Sequence, residues 1–182
     1  MRYEVTGESL TSVADAIRAK AGTTEAMEFP DGFVGAVDGI QRLDVEILER
    51  TVVNYRSTQT TKLGGGCFAN CWDLVSVVCP NVTAVYGFAF QNCMSLLLLD
   101  CKATRIEWPF QNATNFETLI LRGDSVATNA ASDTFDSTKM ANGTGFIYVP
   151  RSLVDSYKAA TNWSTFASQI RAIEDYPEIT GG

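Results

Sequence analysis

Apolar residues in the middle of this chain fall in short runs rather than in the long one-faced stripes of helices. Leu74-Val75-Ser76-Val77-Val78-Cys79, Leu96-Leu97-Leu98-Leu99-Asp100-Cys101 and Phe116-Glu117-Thr118-Leu119-Ile120-Leu121 are each bounded by turn residues, and runs of this length predict strands. The same phrase precedes each run: Phe68-Ala69-Asn70-Cys71, Phe90-Gln91-Asn92-Cys93 and Phe110-Gln111-Asn112-Ala113. The links into the phrase also correspond. Thr61-Lys62-Leu63-Gly64-Gly65-Gly66-Cys67-Phe68 aligns with Thr83-Ala84-Val85-Tyr86-Gly87-Phe88-Ala89-Phe90, and Thr104-Arg105-Ile106-Glu107-Trp108-Pro109-Phe110 is one residue shorter.

The phenylalanines recur after 22 and then 20 residues, a period typical of solenoids built from leucine-rich repeats. A unit of that size cannot bury its apolar face alone, so copies must stack and the ends must be capped. Parallel strands in register lie ~4.8 Å apart, which sets like residues above one another. Phe68, Phe90 and Phe110 are expected as an aromatic core column, and Asn70, Asn92 and Asn112 as an amide ladder bonding the turns from inside.

The two ends follow other rules. Ser9 is a suitable helix N-cap, Leu10, Val13, Ala14, Ile17 and Ala21 keep helical spacing, and Gly22 is a natural stop. After Phe29-Pro30-Asp31, a second helix is expected from Phe33, Val34, Val37 and Ile40; Gly32, Gly35 and Gly39 each weaken it by about 1 kcal/mol relative to alanine. Leu43, Val45 and Ile47 alternate with acidic residues and read as a half-buried strand. Toward the other end, Pro150 suits a first helical turn. Leu153, Val154 and Tyr157 then share a face, and Trp163, Phe166 and Ile170 continue the apolar set after a break at Thr161-Asn162, giving a helical cap that seals the last strand edge. Ser125 to Thr144 breaks the period and is expected as a long contact loop.

The pattern Phe, any residue, Asn-Cys, two residues and Leu, followed by a strand, resembles the BspA-like leucine-rich repeats of bacterial surface proteins and bacteriophage tail proteins. The resemblance covers about residues 58 to 150, and Phe146-Ile147-Tyr148-Val149-Pro150 with the following helix is similar to the ending of such arrays. Ala113 in place of the third cysteine and the shortness of the array depart from it. Leu10 to Gly22 followed by Phe29-Pro30-Asp31-Gly32-Phe33 resembles the helical leader of tail and baseplate-associated proteins of phages infecting Gram-positive gut bacteria. The resemblance implies an interaction scaffold without catalytic residues. The expected fold is therefore an α/β leucine-rich-repeat solenoid (43–150) with an N-terminal helical leader (1–42) and a C-terminal helical cap (151–182).

Composition narrows the function classes. Histidine is absent, which removes the commonest general base and zinc ligand and excludes the usual serine and cysteine triads. A formal net charge of -7 argues against a nucleic-acid partner, which needs clustered Lys or Arg. No apolar stretch reaches the ~18 residues a membrane span needs, so insertion is not expected. Met1-Arg2-Tyr3-Glu4-Val5, followed by Glu8, does not read as an export signal. Gly64-Gly65-Gly66 lacks the Lys-Ser/Thr of a phosphate loop and reads as a repeat turn. Cys67, Cys71, Cys79, Cys93 and Cys101 show no metal-site spacing and read as buried free thiols. Arg122-Gly123-Asp124 reads as turn chemistry after a strand, not as an integrin motif.

No catalytic, cofactor or metal residue is assigned. Trp72, Tyr86, Arg105 and Trp108 occupy variable repeat positions and are the candidate interaction surface, being of the types enriched in hot spots. For the two tryptophans, burial beside Phe68 and Phe110 is nevertheless the expectation. Leu10, Val13, Ile17 and Phe33 are the candidate docking or oligomerisation face. The resulting reading is a phage virion structural or attachment protein, assembled in the host cytoplasm. Its expected partners are other virion proteins or sister chains in a homo-oligomer, and a host surface protein or glycan. A bacterial cell-surface adhesin fragment and an intracellular protein-binding module are the alternatives.

Overall fold

The computed structural model describes residues 50–181. The expected leader, the strand at 43–47 and the candidates Leu10, Val13, Ile17 and Phe33 lie outside the described residues.

The described region is α/β, with two parallel sheets and few helices. Each repeat delivers one strand to each sheet. The larger sheet holds β1 (Asn54–Arg56), β3 (Ser76–Cys79), β5 (Leu98–Cys101), β7 (Thr118–Leu121), β9 (Phe146–Val149) and β10 (Ile170–Ala172), in that spatial order. The smaller holds β2 (Lys62–Leu63), β4 (Ala84–Val85), β6 (Arg105–Ile106) and β8 (Thr128–Asn129). Strands of the larger sheet begin two residues after the apolar runs do, because Leu74, Leu96 and Phe116 instead close a turn with their N–H groups donating to the carbonyls of Cys71, Cys93 and Ala113. The two-residue strands of the smaller sheet lie in the links, too short for any alternation to announce them.

Register is what the repeat requires. Val77 pairs with Leu99, Leu99 with Leu119, Leu119 with Ile147 and Ile147 with Ile170, all buried. Cys79 pairs with Cys101 and Cys101 with Leu121 in the next buried row. In the links, Thr83, Thr104 and Thr128 donate N–H and hydroxyl bonds to the carbonyls of Thr61, Thr83 and Thr104 respectively. The phenylalanine column forms as expected: Phe68 and Phe90 stack at 5.7 Å between centroids, and Phe90 and Phe110 at 5.6 Å.

The asparagine ladder exists, with Asn92 Nδ2 donating to Asn70 Oδ1 at 2.7 Å and Asn112 Nδ2 to Asn92 Oδ1 at 2.9 Å. It runs along the outside rather than the inside, with Asn70 and Asn112 exposed. Asparagine is placed there by the backbone: φ is 64°, 60° and 58° at the three positions, a left-handed turn that asparagine tolerates better than other side chains.

The segment from Ser125 to Thr144 is not the expected open loop. It contains β8 and buries Ala127, Asn129, Thr134, Phe135, Thr138 and Met140. Phe135 stacks on Phe110 at 5.4 Å, and the Thr138 N–H donates to the Phe135 carbonyl as Cys71, Cys93 and Ala113 do to their phenylalanines. This is a fourth copy of the phrase, displaced by 25 residues and stripped of its Asn-Cys.

The C-terminal cap is built from several short pieces. A 3₁₀ turn (Arg151–Leu153) follows Pro150, then α1 (Val154–Ala159), a second 3₁₀ segment (Ser164–Gln169), β10, and after a further turn α2 (Pro177–Thr180). Ile170, expected to continue the helical apolar set after the break, instead begins β10, which covers the β9 edge by pairing with it. The rest of the cap satisfies the other end of the stack through side chains. The Ala127 N–H donates to Tyr157 Oη at 2.9 Å, and Trp163 Nε1 donates to the Ala127 carbonyl at 2.7 Å. Asn129 and Asn162 exchange amide-to-carbonyl bonds in both directions. Gln169 Nε2 donates to the carbonyls of Met140 and Gly145.

Candidate functional site

The turn between the link and the phenylalanine column needs a left-handed residue in successive copies. In the first copy Gly66 supplies it at φ 67°, as glycine does without steric cost. The equivalent residues in the next two copies are Phe88 at φ 61° and Trp108 at φ 41°. A side chain in this region costs about 1–2 kcal/mol, and Trp108 also precedes Pro109, which disfavours helical-type backbone. Both rings face out of the core, Phe88 at 48% and Trp108 at 50% exposure.

Phe88 and Trp108 line a groove of about 340 Å³, together with Phe110, Gln111, Asp133, Thr134, Asp136 and Ser137. Trp108 Nε1 donates to Asp133 Oδ1 at 2.7 Å, so the indole edge is anchored while the residue stays half-exposed. Thr134 Oγ1 is already committed to Asn129 Oδ1 at 2.6 Å and the Ala131 carbonyl. Asp133 and Asp136 are exposed, and no basic residue lines the groove.

Of the four predicted surface residues, only Trp108 lines this groove. The expected burial of Trp108 is wrong: at a left-handed turn, φ 41°, it is half-exposed. Trp72, 59% exposed, likewise leaves the core to Phe68 and the turn to Cys71; it lies outside the groove in a position shared with exposed Met94. Tyr86 is half-buried, and Arg105 is exposed and ion-paired with Glu107. Phe88, Asp133 and Asp136 were missed by sequence reasoning. The alignment of Phe88 with Gly66 was the available signal, since a bulky residue at a glycine position is unexpected on structural grounds alone.

A second groove, of about 330 Å³, lies on the larger sheet and is lined by Arg56, Asp100, Arg122 and Ile179 among others. Within it Arg122 Nε and Nη2 donate to Asp100 Oδ1 at 2.7 Å and Oδ2 at 2.9 Å, and Arg56 has no second carboxylate in the lining. That pairing engages the arginine of Arg122-Gly123-Asp124 and supports the structural reading of the tripeptide.

All five thiols are free, and all but Cys67 are buried. Burial pushes Cys93 and Cys101 up to about 12, and Cys67 and Cys79 up to about 11. A thiol held neutral in this way is a poor nucleophile and metal ligand. Among the described residues no group of three or more His, Cys, Asp or Glu could hold a metal ion, and no helix is long and apolar enough to cross a membrane. Comparison with protein-family models found no match, and comparison with curated proteins found none.

Proposed function

We propose that this chain is a short BspA-like leucine-rich-repeat solenoid acting as a non-catalytic binding module in a phage virion. The in-register phenylalanine column, with four copies of the repeat phrase contributing to it, is the observation that best supports the solenoid. Its value to function is rigidity. Outward residues at equivalent positions are held on a stack whose hydrogen bonds run from copy to copy, the arrangement repeat proteins use to present extended binding surfaces. The attachment role is supported by exposed aromatic residues maintained at strained turn positions. The virion location is supported by the resemblance of residues 10–33 to phage leader segments.

In this reading Leu10, Val13, Ile17 and Phe33 dock the chain to the particle or to sister chains, and the repeat faces outward. Mass spectrometry of purified particles and of host envelope fractions tests the location. Recovery in the particles at defined stoichiometry supports the proposal; recovery only from the envelope replaces it with the surface-adhesin reading. Light scattering of the full chain tests self-association, and one-chain mass at all concentrations would remove the sister-chain docking role.

A further inference from the structure

The groove beside Trp108 joins three features that no packing need explains. Two half-exposed aromatic rings stand where the first copy has glycine. Asp133 fixes the indole by its Nε1–H while Trp108 stays half-exposed on the groove. Asp136 is exposed and enters no ion pair among the described residues, and no lining residue is basic.

We infer that this groove binds an organic ammonium group, a compact quaternary or alkylammonium head set against the Trp108 face with Asp133 and Asp136 as counter-charges. The negative face of an aromatic ring attracts a cation, tryptophan most strongly, and the attraction grows as the cation loses water. Two carboxylates without a basic neighbour add attraction of the same sign and disfavour an anionic ligand. A neutral sugar could lie on the ring but would leave both carboxylates without a counter-charge. A volume of about 340 Å³ is at the small end for ligand sites and suits a small head group. Anchoring Trp108 before binding lowers the ordering cost. The inference deepens the attachment reading by naming the chemistry recognised on the host surface.

The test uses the full chain at low ionic strength, titrated with choline, with its neutral isostere 3,3-dimethyl-1-butanol, and with glucose, followed by tryptophan fluorescence and amide NMR shifts. Choline is expected to saturate in roughly the millimolar range and the isostere to bind at least about tenfold more weakly. Shifts should centre on Phe88, Trp108 and Asp136. Trp108→Ala should abolish saturation and Trp72→Ala should not. Asp136→Asn, an exposed change that leaves the fold intact, should weaken choline by about fivefold. Equal binding of the isostere, preference for glucose, shifts centred on Trp72, or no saturation by choline would each overturn the inference. Failure here leaves recovery of the chain in particles unaffected, and absence from particles leaves choline binding unaffected, so the two readings fail separately.

Discussion

Phe88 and Phe90 are two residues apart and chemically identical, and the structure assigns them opposite energetic roles. Phe90 is wholly buried and stacked on both sides, 5.7 Å from Phe68 and 5.6 Å from Phe110. Truncating a buried phenylalanine to alanine costs about 3–5 kcal/mol through lost burial and the cavity left behind. Two ring contacts, each worth about 0.5–1.5 kcal/mol, place Phe90→Ala in the upper part of that range. Against a total stability of about 5–15 kcal/mol, the change removes a large fraction. Being in the middle of the column, it also uncouples the copies on either side. Phe88 is half-exposed at φ 61°. Phe88→Gly relieves a strain of about 1–2 kcal/mol and loses some surface contact and chain entropy, so its net effect is between zero and about 1 kcal/mol of stabilisation. Urea unfolding monitored by far-UV circular dichroism measures both. If Phe90→Ala costs less than about 1 kcal/mol, or if Phe88→Gly is the more damaging of the two, the stacked-column account is wrong.

Other consequences follow from the ladder, the cap and the thiols. Asn92→Ala should lose about 1–2 kcal/mol in the same urea assay and Asn92→Gly less, because the left-handed turn matters more than the exposed amide bonds; equal losses would favour the bonds. Tyr157→Phe removes the acceptor for the buried Ala127 N–H and should cost about 1–3 kcal/mol, with hydrogen exchange accelerating at Ala127 while Phe90 is unaffected. Burial holds Cys93 and Cys101 up to about 12, above the ordinary 9.0. Below about pH 9 both states keep the thiols neutral and the full stability is present. As pH rises from 9 toward 12 only the unfolded thiols ionise, so stability falls by about 1.4 kcal/mol per pH unit per thiol. Thermal unfolding from pH 8 to 11 should show this loss, and Cys101→Ala should reduce its slope; a flat profile would contradict the burial of the thiols.

What could be read from the chain was whatever repeats. Phe68, Phe90 and Phe110 announced a column because equal residues at equal spacing have to stack, and Cys79 and Cys101 announced a shared row. The fourth copy escaped because only Phe135 and a small residue three positions on survive in it, and an added five residues hide the period. β10 escaped because Ile170 also fits the helical spacing of Trp163 and Phe166, and only pairing with β9 decides between the two periodicities. The asparagines were recognised as a ladder but assigned the wrong face, since sequence shows which residue recurs and not the sign of its φ. The same blindness concealed the groove. Phe88 and Trp108 look like core aromatics beside a phenylalanine until the left-handed backbone turns them outward, and Asp133 joins them from a copy that the period did not reveal.

The most direct measurement is cryo-electron microscopy of particles from the organism that encodes this chain. The proposal predicts density for residues 50–181 in defined copies at the particle surface, with Phe88 and Trp108 facing outward. Absence of the chain, or burial of the Trp108 groove against the particle, would contradict it.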